Sequence, residues 1–528
     1  MVILFLLFLA MGAAGWKETL EEASGHATVS EIAENTIEML SGHDVIVVDH
    51  KFEEHWMLVV GKWGLKAVLA AALFQSGLML FRRQIRQWRF RKAKGHQIFA
   101  GCGQHNVDLA LRAAAQGQDV AVICEDEHHP RRSELERAGV IVFVGIPEDS
   151  GVIKAAGIER AQRITIAATA GDDASLATAE VVASTPATCG SEEKLMVACL
   201  HSRPARDLLN QRWSLITHPG TWQARIVSFE AAALRQMVTC VARDLAELPD
   251  MLQRGPRLLV VAHPSFTHEF LRAAIAFVQI SGKALPEYWV AVENESKQQE
   301  FEWLFPAASL VAKVQFVICP LPLVPVCPLL HGMSFDLGVV RMEGESQTLQ
   351  LADSLLNSAV LQISRVDAVV DHSVKTQLDE DVSLRINSIY NLGLNSPEFG
   401  DLSLDQKARE NHEAYVAGLM AEERAKSCGW DQIPEHAKES NRWAVLHRDI
   451  KRQIWNRTEP DQRPSLLEHL SICEHQRWMG EKAMNGWRHA ALVGQDKKRR
   501  LHPSLIPWDQ LSEGEKEKDR VQVRKAIS

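Results

Sequence analysis

The sequence predicts an α/β protein with doubly wound parallel sheets, N-terminal transmembrane helices and a C-terminal, mainly α module. Two apolar segments lie near the N-terminus, at residues 2–16 and 56–81. Short apolar strands then alternate with helical patterns over residues 96–398, which is typical of parallel sheets with crossover helices. A tryptophan-rich segment of mainly helical pattern closes the chain at residues 461–528. The 528 residues are enough for several separate cores.

Charge and cysteine content exclude some classes of protein. Lys plus Arg total 58 against 67 Asp plus Glu, a net charge of −9, which argues against nucleic acid as a partner. The nine cysteines are scattered and none forms a C-x-x-C pair. We therefore expect neither a disulfide framework nor structural zinc, and we predict no metal site.

Residues 1–95 are predicted to be a membrane region. The first apolar segment, residues 2–16, is short for a span and lacks a basic n-region, so it either spans or is cleaved near its small residues. The second, residues 56–81, is long enough to cross and runs into a basic linker at residues 82–95. By the positive-inside rule, this arrangement predicts an inner-membrane protein whose main body is cytoplasmic.

A glycine turn follows the basic linker. A buried strand at residues 96–100 leads into Gly101-Cys102-Gly103, and a helical pattern and a second strand, Val120–Cys124, come next. This order is typical of a dinucleotide-binding, Rossmann-like lobe, in which glycines let backbone amides approach a pyrophosphate at a helix N-terminus. The candidate cofactor-binding residues are Gly101, Gly103, Gln104, His105, Asn106, Glu125, Asp126, Asp172 and Asp173.

The segments "FAGCGQHN", "VAVICED" and "AAGIERAQRITIAATAGDD" resemble the TrkA-N domain, the nucleotide-binding lobe of proteins that regulate potassium conductance. The resemblance covers residues 96–200 of a predicted domain at 96–220, and it implies NAD(H) or another adenine nucleotide as cofactor. The sequence departs from the pattern twice: Asn106 stands at the third glycine, and Cys124 stands where the acid is expected. The alternative is a lobe that has only a structural role and binds no cofactor.

Residues 221–398 are predicted to form a second, diverged Rossmann-like domain. A strand at residues 257–262, a turn at 263–267, a helix at 269–280 and a strand at 287–292 repeat the order of the first lobe without a glycine pair. A further strand at residues 366–370 is expected to precede a helix that runs through Tyr390. We predict an intramolecular partner of the first lobe instead of a second cofactor site. A helical connector follows at residues 399–460, with helices at 405–425 and 440–455.

The order E-H-x-x-W, G-W, H-P-x-L-x-P-W and L-S-E-x-E-K, which begins at Glu474, resembles the RyR domain, a module named after ryanodine receptors and also found in bacterial proteins. It implies a binding or sensing role for residues 461–528. Pro503 and Pro507 exclude a regular helix through residues 501–508, and Ser512 is expected to cap a final helix. The candidate ligand-binding residues are His475, Trp478, Lys482, Trp487, Arg499, Arg500, His502 and Trp508.

Two interpretations of the tryptophans in this module stay open. His475, Trp478 and Lys482 share one helix face, and together with the basic run at residues 497–500 they could hold a stacked nucleotide base and its phosphates. Alternatively, the tryptophans are core residues of a small module. His412 and Tyr415 repeat the His475–Trp478 spacing, which indicates either a degenerate repeat or chance.

Taken together, these features predict a membrane-anchored, homo-oligomeric sensor. A nucleotide-type ligand bound to the TrkA-N-like or RyR-like region would control the membrane helices, through ion permeation or a membrane effector. The first alternative is a regulatory NAD-binding subunit of a separate ion transporter. An NAD-dependent oxidoreductase is less favoured, because the chain carries no H-E-x-x-H, G-x-S-x-G or Walker sequence and no convincing catalytic pair, so we predict no enzyme activity.

Overall fold

The structure is a computed structural model of the chain. It describes residues 2–41, 55–90, 93–185, 194–202, 205–206, 222–248, 250–372, 383–400, 403–419, 424–425, 427–433, 435–490, 496 and 499–528. These residues form two compact units, Met1–Ala93 and Lys94–Ser528. Parts of four predictions lie outside the described residues: positions 91 and 92 of the linker, 373–382 of the helix before Tyr390, 420–423 of the first connector helix, and 497 and 498 of the basic run.

The first unit is helical. It contains α1 (Val2–Ser24), α2 (Val29–Ser41) and α3 (Trp56–Phe90). Helices α1 and α3 approach so closely that a Cβ on Gly15 would lie 2.3 Å from the Leu58 nitrogen, and one on Gly61 would lie 2.6 Å from the Gly12 Cα. Both predicted apolar segments lie within these helices, the first in α1 and the second in α3. Among the described residues, one helical stretch, Trp56–Gly77, is long and apolar enough to cross a membrane by length and composition.

The first α/β lobe of the second unit is one parallel sheet in the order β3-β2-β1-β4-β5-β6, the order of a doubly wound Rossmann fold. Its strands are β1 (Gln97–Ala100), β2 (Val120–Cys124), β3 (Ile141–Val144), β4 (Arg163–Ile166), β5 (Leu195–Cys199) and β6 (Gln223–Val227). Its helices are α4 (Gln104–Ala115), α5 (Arg132–Arg137), α6 (Ser150–Ala155) and α7 (Asp172–Ser184). The predicted α/β class is confirmed. Three elements, α5, β5 and β6, were not predicted from the sequence, and β6 carries the sheet beyond residue 220.

The second lobe has the order β14-β13-β11-β7-β8-β9, which matches that of the first lobe when read from the opposite edge. The chain enters it through α8 (Phe229–Leu245) and the short α9 (Met251–Arg254). Its main elements are β7 (Arg257–Ala262), α10 (Pro264–Phe277), β8 (Glu287–Val292), α11 (Glu295–Leu304) and β9 (Lys313–Ile318). The remainder comprises β10 (Ser334–Phe335), β11 (Leu337–Arg341), α12 (Glu345–Leu356), β12 (Gln362–Ile363), β13 (Val366–Val370), β14 (Leu384–Ser388) and α13 (Ile389–Asn395). The predicted duplication of element order is thus present.

Two boundaries in the second lobe were predicted wrongly. The predicted turn at residues 263–267 is already helical from Pro264, because a proline at the first helical position loses no intrahelical hydrogen bond. The helix expected before Tyr390 is wrong over residues 384–388, which form β14 and pair in parallel with β13. Pairing with the neighbouring strand β13, and not the local sequence pattern, decides the conformation of this segment.

Helices dominate the C-terminal part. They are α14 (Pro397–Gly400), α15 (Ser403–Gly418), α16 (Glu435–Leu446), α17 (Arg448–Arg457), α18 (Arg463–Ala483) and α19 (Glu513–Ile527), with the short strands β15 (Arg488–His489) and β16 (Leu501–His502) between the last two. The predicted helix at residues 440–455 is in fact two helices that meet at His447. The predicted cap is confirmed, because the Ser512 hydroxyl accepts a hydrogen bond from the Glu515 amide at 3.3 Å.

The C-terminal helices and the second lobe share one hydrophobic core. Phe277 of α10, Ile450 of α17 and Leu470 of α18 are completely buried within the same cluster. A Cβ on Gly480 would lie only 2.7 Å from the Ile275 carbonyl oxygen, so α18 runs unusually close to α10. A change in the C-terminal helices is therefore felt directly in the packing of the second lobe.

Candidate functional site

The glycine turn leaves the N-terminus of α4 uncapped by side chains. Gly101 has a φ of 98°, and a Cβ there would lie 2.2 Å from the Ala167 carbonyl oxygen, so only glycine fits. Gly103 is the N-cap of α4, and its nearest neighbour for a Cβ is the Thr169 methyl group at 3.6 Å. Within the described residues, α4 has no acidic residue in its first turn and no side-chain cap. Its first N–H groups can therefore receive an anion.

Asn106 and His105 contact neighbouring parts of the protein instead of facing the open N-terminus of α4. The buried Asn106 amide donates to the carbonyl oxygens of Ala100 and Gly101, at 2.9 and 3.1 Å, and so holds the turn in place of a third glycine. His105 packs against Phe229, with ring centroids 3.6 Å apart. Burial, followed by the nearby His201, lowers the pKa of His105 to about 4, which keeps the ring neutral. Gln104, at the start of α4, is exposed.

The two acids after β2 have different roles. The Glu125 carboxylate accepts from the Thr169 hydroxyl at 3.3 Å, and Thr169 is also the neighbour of Gly103. Glu125 and Gly103 therefore lie on either side of Thr169. Asp126 accepts from the His128 amide at 2.7 Å and closes its own loop. Of the two acids, Glu125 is the one that shares a neighbour with Gly103.

Asp172 organises the neighbouring strand end. Its carboxylate accepts from the backbone amides of His201 and Ser202, at 2.8 and 2.7 Å. Burial alone would raise the pKa of Asp172, but these two N–H groups outweigh it and the pKa is lowered. Asp173, the next residue of α7, is exposed. Asp172 therefore fixes the loop after β5 beside the crevice.

A cavity of about 290 Å³ lies between the C-terminal module and the connector helices. We call it the RyR-side cavity. Five of the predicted ligand residues line it: His475, Trp478, Lys482, Trp487 and His502. The opposite wall comes from α15 and α16, through Asn411, His412, Tyr415, Ser440, Asn441 and Ala444. The start of α19 closes it with Glu515, Lys518, Asp519 and Gln522.

Aromatic rings form one side of this cavity. The rings of His475 and Trp478 are stacked, with centroids 5.7 Å apart and an angle of 25° between their planes. His502 meets Trp478 edge to face at 4.8 Å. Trp487 is only 7% exposed, and the Lys482 ammonium lies 5.7 Å from the centre of its ring. Trp487 thus belongs to the core and also lines the cavity.

A buried ion network supports the aromatic side. Glu474 accepts from Lys451 and, at 3.1 Å, from Arg477. Arg477 also reaches Glu481 at 3.3 Å, and Lys482 donates to the same carboxylate at 3.1 Å. Although burial would raise the pKa of Glu474, Arg477 and then Lys451 hold it below its usual value. The network joins α17 to α18 and fixes the face that carries His475 and Trp478.

Two histidines of the cavity have defined hydrogen bonds. His475 donates from Nε2 to the Ile506 carbonyl oxygen at 2.9 Å, and its Nδ1 lies 3.2 Å from the Asp519 carboxylate. His502 Nδ1 accepts from the Ser504 amide at 3.1 Å, so its Nε2 carries the ring proton. Burial, and then Lys482, lowers the pKa of His502 to about 4. His502 is therefore a neutral donor at physiological pH.

Three of the predicted ligand residues lie away from this cavity. Arg499 is exposed and its guanidinium lies 3.7 Å from Asp496. Arg500 donates to the Asn485 carbonyl oxygen at 2.8 Å and so ties β16 to the end of α18. The Trp508 indole donates to Glu468 at 3.2 Å, beneath the guanidinium of Arg520. The described part of the basic run is thus not in the cavity wall.

The cavity wall formed by α15 and α16 was not among the residues that the sequence predicted for a site. One signal for it was present: His412 and Tyr415 have the same spacing as His475 and Trp478. The structure places both pairs on the lining of the same cavity. No local pattern indicates that Ser440 and Asn441, on another helix, complete that wall.

These elements define a two-lobed α/β protein with a helical C-terminal module. Residues 459–528 match the family model of the RyR domain, which confirms that part of the predicted architecture. A comparison with curated proteins finds no match. Solved structures similar to this chain include the GsuK channel bound to NAD (10% identity, TM-score 0.38, covering 77% of this chain and 84% of that one). Another is GsuK bound to ADP (14% identity, TM-score 0.35, covering 75% and 95%).

Proposed function

We propose that the chain is a membrane-anchored sensor whose RyR-side cavity binds a nucleotide or nucleotide-derived ligand. The single observation that carries this proposal is the convergence of His475, Trp478, Lys482 and His502 on a cavity of about 290 Å³. Cavities that bind small ligands combine apolar and aromatic lining with a few placed polar groups, at volumes from about 300 Å³ upward. The RyR-side cavity has this composition and lies near the lower end of that size range.

The glycine turn supports a second site, for NAD(H) or another adenine nucleotide. Gly103 leaves the N-terminus of α4 open to a pyrophosphate, and Glu125 lies across the crevice for a ribose hydroxyl. Asn106 holds the turn in shape, so the missing third glycine does not remove the anion site. In this proposal the chain therefore has two nucleotide-binding sites, the RyR-side cavity and the glycine turn.

Helices α15 and α16 provide the route from the cavity to both lobes. Besides lining the cavity, they carry Asp405 and Arg442, which pair with each other, and Asp405 accepts from Arg225 of β6 at 2.6 Å. Nearby, Glu398 receives two hydrogen bonds from Arg235 of α8, at 2.6 and 2.5 Å. A ligand that prefers one spacing of these helices would therefore shift how the lobes are held together.

The membrane part of the proposal rests on the first unit. Helix α3 contains the candidate span Trp56–Gly77, and large apolar side chains on it are exposed, Leu73 by 74% and Phe74 by 68%. Such side chains suit contact with lipid. The arginines that follow the span favour an inner-membrane orientation with the second unit in the cytoplasm. The output would be ion permeation or a membrane effector in a homo-oligomer.

A ligand screen on the full chain in detergent tests the proposal. NAD, ADP-ribose, AMP and adenosine are added, and thermal unfolding is followed by near-ultraviolet circular dichroism. A ligand present at about 100 times its Kd stabilises the folded state by about 2.7 kcal/mol. We expect Trp478→Ala to abolish the stabilisation that comes from the cavity, while the matched variant Trp303→Ala, whose indole is 75% exposed, keeps it. If no compound stabilises the chain, the sensor proposal is wrong.

The alternative, a regulatory subunit of a separate transporter, is separated by a second experiment. Conductance of purified chain in liposomes favours a pore made by the chain itself. A channel-forming protein that co-purifies with the chain, together with silent liposomes, favours the subunit.

A further inference from the structure

We propose, on the basis of the proposed function, that the RyR-side cavity takes the uncharged aromatic ring of its ligand and leaves any phosphate outside. The ligand class is thus a nucleoside or a nucleoside end of a larger molecule, recognised by its base. This goes beyond the sequence-based expectation, in which phosphates would be held by the basic run.

The cations of the cavity wall are already paired with carboxylates. Lys482 donates to Glu481 at 3.1 Å, and Lys518 donates to Glu515 at 2.5 Å. Arg477 lies between Glu474 and Glu481, bonded to both. A site that neutralises phosphates needs cations that can turn toward the ligand, because charge-assisted bonds to phosphate are its main source of affinity. Here these cations hold the wall together.

The helix end nearest the cavity also disfavours an anion. Helix α19 begins with Glu513 and Glu515 in its first turn, and the Ser512 hydroxyl already accepts from a backbone amide there. Carboxylates at a helix N-terminus offset the positive end of the helix dipole. The N-terminus of α4, in contrast, has an open glycine cap and no acid in its first turn.

What remains in the wall suits a planar ring with polar edges. The rings of Trp478 and His502 line the cavity, His502 carries its proton on Nε2, and the uncharged amide side chains of Asn441 and Gln522 border the cavity. Aromatic faces bind heteroaromatic rings of any charge state by stacking, and amides read their edges. The occupant that fits this set is a base.

The test isolates the cavity with the full-length variant Gly103→Leu, whose side chain would cover the N-terminus of α4 while the backbone φ of −58° accepts any residue. Calorimetric titrations compare adenosine, guanosine, cytidine and uridine with their 5′-monophosphates, at about 50 and about 500 mM NaCl. We expect one nucleoside to bind within about three-fold of its monophosphate, with less than about two-fold dependence on salt. Trp478→Ala should weaken it at least about ten-fold, Trp478→Phe much less, and Trp303→Ala not at all.

Three results overturn the inference. A monophosphate that binds more than about ten-fold tighter than its nucleoside, and weakens as strongly in high salt, shows a phosphate site in the cavity and leaves the sensor proposal standing. Binding that occurs in the unmodified chain but is lost in Gly103→Leu assigns all ligand to the glycine turn. If no compound binds to the unmodified chain or to Gly103→Leu, the proposed function and this inference are both wrong. Should Trp478→Ala fail to fold, Ala444→Leu, which fills the cavity from α16, replaces it.

Discussion

The glycine turn of the first lobe and the RyR-side cavity are built on opposite electrostatic principles. At the glycine turn, the groups that are left open are backbone amides at the N-terminus of α4, and side chains such as Asn106 keep the turn in shape. In the cavity, rings and amide side chains form the lining, while the charges of Glu474 and Arg477 cancel within the wall. In the proposed function, one chain thus separates recognition of phosphate from recognition of a ring.

The two α/β lobes sharpen this contrast, because they have the same strand order but different turns. In the second lobe, Thr267 donates to the carbonyl oxygens of Ala262 and His263, at 3.1 and 3.0 Å, much as Asn106 does in the first lobe. Pro264, however, occupies the first position of α10 and offers no N–H group. The second turn keeps the scaffold and loses part of the anion site.

The largest predicted effect concerns the ion network behind the cavity. Glu474→Gln removes the carboxylate that pairs Lys451 and Arg477 and leaves two buried cations undercompensated. We expect the free energy of unfolding to fall by about 3–5 kcal/mol in urea titrations. The glycine turn should keep its affinity for anions in molecules that stay folded. A loss below about 1 kcal/mol would show that the wall does not depend on these charges.

The next effect separates the two glycines of the turn. Gly101→Ala places a Cβ 2.2 Å from the Ala167 carbonyl oxygen at a positive φ, and we expect a loss of about 3 kcal/mol in the same titration. Gly103→Ala is the matched control, because a Cβ there has 3.6 Å of room. Its stability should change by less than about 1 kcal/mol. Equal losses in both variants would contradict the assignment of Gly103 to the ligand and Gly101 to the fold.

The smallest effect is a dependence of stability on pH that originates in the cavity. The pKa of His502 is about 4 in the folded chain, below its ordinary value of about 6.5. As pH falls from about 6.5 to about 4, the unfolded state takes up a proton that the folded state refuses, so stability decreases in that window. We expect His502→Gln to remove about 1 kcal/mol of this decrease, after allowance for partial exposure. His489→Gln, at an exposed position of the same module, is the control. An unchanged pH profile would show that His502 is solvated.

The sequence contained much of the fold because the relevant signals are local. The glycine pair with its flanking strands, and the cap at Ser512, each depend on neighbours within a few residues, and the structure has them. The start of α10 at Pro264 was also locally encoded but misread. Strand β14, in contrast, is strand only because β13 lies beside it.

The candidate sites were less predictable, because contacts between distant segments decide which way a side chain points. His105 belongs to a promising turn, yet Phe229 and Tyr390 hold its ring away from the crevice. Arg500 belongs to a basic run, yet it is bonded to the end of α18. The wall formed by α15 and α16 has no motif of its own, apart from the His412–Tyr415 spacing.

Hydrogen exchange of the full chain, with and without the best ligand of the screen, shows whether the RyR-side cavity is the sensing site. If the ligand lies in the RyR-side cavity and acts on α15 and α16, amides in Ser403–Gly418 and Glu435–Leu446 should become protected together with those of Arg463–Ala483. Trp478→Ala should remove that protection, and Gly103→Leu should keep it. Protection confined to Gln97–Ala115, and lost in Gly103→Leu, would contradict the account and leave the glycine turn as the sensing site.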